Sequence, residues 1–122
     1  MSGKALVIVP TYNESNNIRR LIDVVLGLDK TVDLLVIDDG SPDGTAEIVK
    51  DNKDKYSDRL FLIERSGKQG LGTAYVRGFK YALEHGYEFI CEMDADFSHD
   101  PNDLQRLIEA VKRGETDVAI GS

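Results

Sequence analysis

At 122 residues, 41% of them hydrophobic, the chain has the size and composition of one domain with a single core. Its formal net charge is −7, and no Lys/Arg cluster exceeds a pair, which excludes an electrostatic footprint for nucleic acid and unaided adsorption to an anionic bilayer. Cys91 is the single cysteine, so an internal disulfide or thiolate metal site is excluded, and a reduced, cytoplasmic protein, at most peripheral to a membrane, is expected.

Met1-Ser2-Gly3-Lys4 leads into an apolar run of only about six residues, too short for a secretory core or a membrane span. Within it, Ala5-Leu6-Val7-Ile8-Val9 is continuously apolar, as a strand buried on both faces should be, and Pro10 stops it. After the turn Thr11-Tyr12-Asn13-Glu14, Ile18, Leu21, Ile22 and Val25 recur at helical spacing through about Leu28. Leu34-Leu35-Val36-Ile37 is a second buried strand. It ends in the turn-rich Asp38-Asp39-Gly40-Ser41-Pro42-Asp43-Gly44, and a polar helix follows from Thr45 to Tyr56.

Leu60-Phe61-Leu62-Ile63 predicts a third strand, followed by the flexible basic loop Gly67-Lys68-Gln69-Gly70-Leu71-Gly72. Leu71, Ala74, Tyr75, Gly78, Phe79, Ala82 and Leu83 mark one face of a third helix, which Gly86 terminates. A fourth strand, Phe89-Ile90-Cys91-Glu92-Met93, runs into Asp94-Ala95-Asp96-Phe97-Ser98-His99, and Asp100-Pro101 opens a helix to about Arg113. Asp117-Val118-Ala119-Ile120 begins a fifth strand. Strands alternating with helices imply βαβ units with right-handed crossovers. The expected architecture is one three-layer α/β domain over residues 1–122, a mainly parallel, Rossmann-like sheet with helices on both faces.

Acidic turns follow strands one, two and four: Tyr12-Asn13-Glu14, Asp38-Asp39 and Asp94-Ala95-Asp96. Parallel connectivity places those strand ends on one edge, where ligands bind in open α/β sheets. The carboxylates should converge there, repelling one another unless something cationic enters. Any one acid alone reads equally as a solvated loop or a helix cap. Asp94 and Asp96 suit a hard divalent cation carrying phosphates. The Gly67–Gly72 loop offers backbone N–H groups and the Lys68 charge to a phosphate, but it fails both the Walker and the G-x-G-x-x-G patterns, leaving a mobile surface loop as the other reading. His85 complements a helix dipole, His99 reads as a capping partner, and Cys91 packs as a small apolar residue.

Val9-Pro10-Thr11-Tyr12-Asn13-Glu14, Ile37-Asp38-Asp39-Gly40-Ser41-Pro42-Asp43-Gly44-Thr45, Gly70-Leu71-Gly72-Thr73-Ala74-Tyr75 and Asp94-Ala95-Asp96-Phe97-Ser98-His99-Asp100-Pro101 together resemble the family 2 inverting glycosyltransferases of the GT-A fold. Within that family they are most similar to the polyprenol (dolichyl) phosphate mannose synthases. The resemblance implies transfer of mannose from GDP-mannose to a polyprenyl phosphate, with inversion and with Mg²⁺ or Mn²⁺. It implies that Pro10, Tyr12 and Glu14 line the nucleotide pocket, and that Ile37 and Asp39 meet the base or ribose. Asp94 and Ala95 would lie along the donor, and Asp96 would ligate the metal. Ser98 stands where some relatives have glutamine and offers only a hydroxyl. The family also implies a further half carrying the acceptor groove and any membrane contact. Competing readings are a UDP-glucose-dependent transferase of the same fold, a receiver-like signalling module and a non-catalytic α/β assembly domain.

Overall fold

The computed structural model describes residues 5–28, 32–56, 58–67, 70–93, 95, 106, 109 and 118–121. Among these, five strands and three helices follow in the order β1 (Ala5–Thr11), α1 (Ile18–Leu28), β2 (Val32–Asp38), α2 (Thr45–Asn52), β3 (Leu60–Glu64), α3 (Leu71–Glu84), β4 (Phe89–Met93) and β5 (Val118–Gly121). All pair in parallel, in the order β3-β2-β1-β4-β5. The expected fourth helix lies almost wholly outside the described residues, although Arg106 and Glu109 within it are helical.

Strand order dictates the layering. The chain steps from β1 to β2 to β3 in one direction, then crosses back to β4 on the far side of β1. With right-handed crossovers, the helices of the two legs must cover opposite faces. They do. Ala5, Val7, Val9, Val32, Leu34 and Val36 share one core with Ile18, Leu21, Ile22 and Val25 of α1 and Val49 of α2. Leu6, Ile8, Leu35 and Ile37 share the other with Ala74 and Ala82 of α3. Adjacent strand residues point to opposite faces, which is why β1 and β2 are apolar without alternation. Asp33 is a polar exception within β2 on the α3 side: it is fully buried and accepts a 2.6 Å hydrogen bond from the Tyr87 hydroxyl. Burial, reinforced by that bond, pushes the Tyr87 phenol far above its ordinary pKa.

Four details differ from the sequence reading. β1 does not stop at Pro10 but runs on to Thr11, with Pro10 and Thr11 paired to Ile37 and Asp38 of β2. β2 starts at Val32, because Asp33 is tolerated through Tyr87. α2 ends at Asn52 instead of continuing to Tyr56: Lys53 N–H turns back to the Lys50 carbonyl, and the Tyr56 hydroxyl is held by Asp23 of α1 at 2.9 Å. Leu83, placed on the inward face of α3, is 74% exposed. The true seam is Ala74, Gly78 and Ala82, spaced by four, and small residues there let the helix approach β1 closely. A Cβ added at Gly78 would lie 2.7 Å from Ile8 Cγ2. Gly78→Ala therefore overpacks a core that Ile8, fully buried, cannot vacate. After the helix-propensity gain of alanine, a net loss of about 1–2 kcal/mol is expected, read as a lower urea midpoint at unchanged slope.

Candidate functional site

The direction of chain travel reverses at β1, which makes the carboxyl ends of β1 and β4 the switch point, the place where open α/β sheets bind ligands. β1 is paired to β4 only as far as Ile8↔Glu92, yet it runs on to Thr11, which is paired with Asp38 of β2. The lip is therefore stepped, with β1 and β2 standing proud of β4. Asp38, 1% exposed, finishes β2 and is consumed internally. Its Oδ1 accepts from Thr11 Oγ1 at 2.7 Å and from Ser41 Oγ at 2.6 Å, while its Oδ2 accepts from Ser41 N–H at 3.0 Å.

The loop after β1 is stitched to the loop after β2 by side chains of the latter. Asn13 N–H donates to Ser41 Oγ, Glu14 N–H to Thr45 Oγ1 and Ser15 N–H to Asp43 Oδ2. To meet them the chain turns at Asn13, which takes a left-handed conformation (φ 57°) that asparagine tolerates better than most residues. The Glu14 carbonyl then accepts Asn17 and Ile18 N–H at the start of α1. Asp43 also accepts from the Thr45 amide at 3.1 Å, an Asx turn leading into α2.

Asp39, 6% exposed, meets a cation that is part of the fold. Arg65, the residue after β3, donates from Nε to Oδ1 at 2.6 Å and from Nη2 to Oδ2 at 2.9 Å, a two-pronged fork. The same guanidinium reaches Thr73 Oγ1 at 3.0 Å and the Gly70 carbonyl at 3.3 Å, at the first turn of α3. Its own N–H donates to the Asp38 carbonyl. Gly40, with φ +69°, makes the approach possible: a Cβ there would sit 2.9 Å from Gly67 N. Removing one partner of a pair this buried typically costs about 3–5 kcal/mol.

Among the residues expected to bind, Pro10 is buried within β1 and Tyr12 is exposed beside it. Glu14 is half-buried and accepts a 3.3 Å bond from Asn17 Nδ2. Ile37 is fully buried in the α3-side core, so only its backbone faces the lip. Ala95 is 3% exposed and packs on the α1-side core. Asp94, Asp96, Ser98, His99 and Lys68 lie outside the described residues. Among the described residues no three His, Cys, Asp or Glu side chains form a metal-binding group, and no helix is long and apolar enough to cross a membrane. His85 accepts the expected C-terminal role on α3, its Nδ1 lying 2.8 Å from the Tyr81 carbonyl. Arg65 was not singled out by the sequence. The signal that could have found it is a lone arginine directly after a strand predicted to lie beside the Asp38-Asp39 strand.

The glycosyl transferase family 2 model matches residues 6–122. The chain belongs to that family. It is 45% identical over 119 residues to the polyprenol monophosphomannose synthase of Mycolicibacterium smegmatis, covering 98% of this chain and 44% of that protein. It is 44% identical over 123 residues to the dolichol-phosphate mannosyltransferase of Pyrococcus furiosus, covering 98% of this chain and 33% of that one. Among solved structures, a Pyrobaculum calidifontis mannosyltransferase in complex with GDP-Man and Mn²⁺ superposes with a TM-score of 0.71 at 26% identity, over 91% of this chain and 33% of its own. The chain thus spans less than half the length of these relatives, and its α/β architecture is that of the GT-A transferases.

The loop stitching carries a pH signature. The Thr45 hydroxyl, opposed by desolvation and assisted by the Ser15 amide, lowers the Asp43 carboxyl from 3.8 to about 2. A depressed folded-state pKa adds stability that is complete above the unfolded value and lost as the pH falls through the folded one. Wild-type stability should therefore drop between pH 3.8 and about 2, and Asp43→Asn should flatten that limb. Urea midpoints stepped through this window check it; an unchanged slope contradicts the assignment.

Proposed function

We propose that this chain is the donor-binding part of a mannosyltransferase that moves mannose from GDP-mannose to a polyprenyl or dolichyl phosphate, with inversion and with a divalent cation. The observation that carries the reading is the agreement of the two relatives above and a third. The undecaprenyl-phosphate mannosyltransferase of Micrococcus luteus is 41% identical over 98% of this chain. All three names pair a mannose transfer with a lipid phosphate. The solved relative with GDP-Man and Mn²⁺ supports the donor and the metal.

In this reading the nucleoside end of the donor lies over the stepped lip, with Asp39 toward the base or ribose and Pro10, Tyr12 and Glu14 along the loop after β1. The diphosphate would lie toward the end of β4, which Asp94-Ala95-Asp96 follows in sequence, and Lys68 of the Gly-rich loop would add a positive charge. Asp94, Asp96 and the Ser98 hydroxyl would supply hard oxygen donors, a set that suits Mg²⁺ or Mn²⁺. Such a cation, once bound, supplies charge neutralisation for the diphosphate leaving group. The protein's own task is positional: it holds the anomeric carbon in line between the acceptor phosphate and the departing diphosphate. A phosphate monoester is already ionised near neutral pH, so its attack requires no general base. The acceptor groove belongs to the part of the family's length that this chain does not span.

Calorimetric titration with GDP-mannose and Mn²⁺ tests the reading. Wild type should bind, and Asp96→Ala should remove the Mn²⁺-dependent gain, at least about tenfold. Undiminished affinity in the variant refutes the metal role, and preferential binding of UDP-glucose transfers the chain to the glucosyltransferase reading.

A further inference from the structure

Arg65 does more than neutralise Asp39. Among the described residues, Lys50 and Glu64 form an exposed pair at 45% and 50%, whereas Arg65 and Asp39 are 10% and 8% exposed. An aspartate carboxylate ordinarily turns freely about its last torsion. Here both oxygens are gripped by one planar guanidinium, which fixes the plane of the carboxylate. The guanidinium is itself fixed by Thr73 Oγ1, by the Gly70 carbonyl and by its own backbone bond to Asp38. The orientation of Asp39 is thus referenced to β2, β3 and the first turn of α3 together.

We propose that Arg65 is a positioning residue for nucleobase selection: by locking the Asp39 carboxylate against the start of α3, it sets which base edge that carboxylate accepts. The inference rests on the donor reading above, which places Asp39 at the nucleoside. Its chemistry is directional. A diphosphate is held largely by charge and tolerates small rotations of its partners. The N–H donors of a base are read only by an acceptor in the right plane, so a rotated carboxylate loses discrimination before it loses binding. Lysine keeps the positive charge of Arg65 but cannot form the fork.

The test is titration of the chain and its variants with GDP and with UDP. Wild type should prefer GDP. Arg65→Lys should weaken GDP by about tenfold while changing UDP by less than about threefold, collapsing the preference. The Arg65→Lys, Asp39→Asn double variant should bind GDP within about threefold of the weaker single variant, because the two side chains act as one unit. Equal losses for both nucleotides, or a double variant as weak as the product of the singles, overturn the proposal. A wild type that prefers UDP refutes the GDP-mannose reading but leaves this inference to stand or fall on whether Arg65→Lys collapses that preference. A wild type with no preference overturns both. Should a variant fail to fold, the wild-type Arg65 Nε–H resonance serves instead. It should move on adding GDP and stay on adding inorganic pyrophosphate, and the same response to both overturns the proposal.

Discussion

The reversal of strand order at β1 is the constraint from which the rest follows. Because β2 and β3 lie on one side of β1 and β4 and β5 on the other, right-handed connections must put α1 and α2 on one face and α3 on the opposite face. In this layering α1, α2 and α3 lie on the faces of the sheet and leave its carboxyl edge to the loops. The carboxyl ends of β1, β2 and β4 share that edge, so the described turns after β1 and β2 are committed to it by topology before any side-chain chemistry is considered. The core serves this placement. β1 and β2 are buried over their whole length, so a slip of one residue would turn the α1-side row into the α3-side row and is strongly disfavoured.

The electrostatics of the edge are resolved locally. A cluster of carboxylates on one lip implies repulsion, and an entering cation is one remedy. Two of the acids need none. Asp38 is satisfied by two hydroxyls and an amide, and Asp39 by the Arg65 fork. The Ser41 hydroxyl and amide belong to the loop that turns away from β2, so Asp38 also shapes that loop. The part of the lip over β1 and β2 is thus neutralised from within and suited to hydrogen-bonded recognition.

Much of this was legible in the sequence, because parallel strands buried on both faces announce themselves as unbroken apolar runs and their turns as acidic, Gly-rich segments. The alternation gave the layers, and the helices on both faces followed from handedness. Other features depended on three-dimensional neighbours. Leu83 looked inward because apolar residues recur at helical spacing, but the close packing of Gly78 on Ile8 rotates α3 so that a narrow seam of small residues is buried. α2 was overextended because nothing in Asp51-Asn52-Lys53-Asp54-Lys55 marks where Tyr56 reaches across to Asp23. Ile37 reads from its motif as a nucleotide contact, yet strand alternation turns its side chain into the core. Arg65 escaped notice because its meaning lies in the register of β3 against β2, where Glu64 pairs with Asp38, and register is not written in any single segment.

A buried ion pair is a poor way to stabilise a fold. Desolvating both charges consumes much or all of their attraction, and well-packed apolar residues often do as well or better. Arg65 and Asp39 are therefore hard to account for as ballast in a lip already closed by Thr11, Ser41, Asp43 and Thr45. An apolar pair there could fill the volume, but it could not present an acceptor of fixed orientation beside the switch point. Directional recognition at that spot needs a carboxylate. A carboxylate in so dry a place needs a partner, and a partner that must also define a plane needs the flat fork of an arginine. The desolvation cost thus falls on a pair whose geometry fixes the plane of one carboxylate, and that fixed plane is the property the positioning proposal uses.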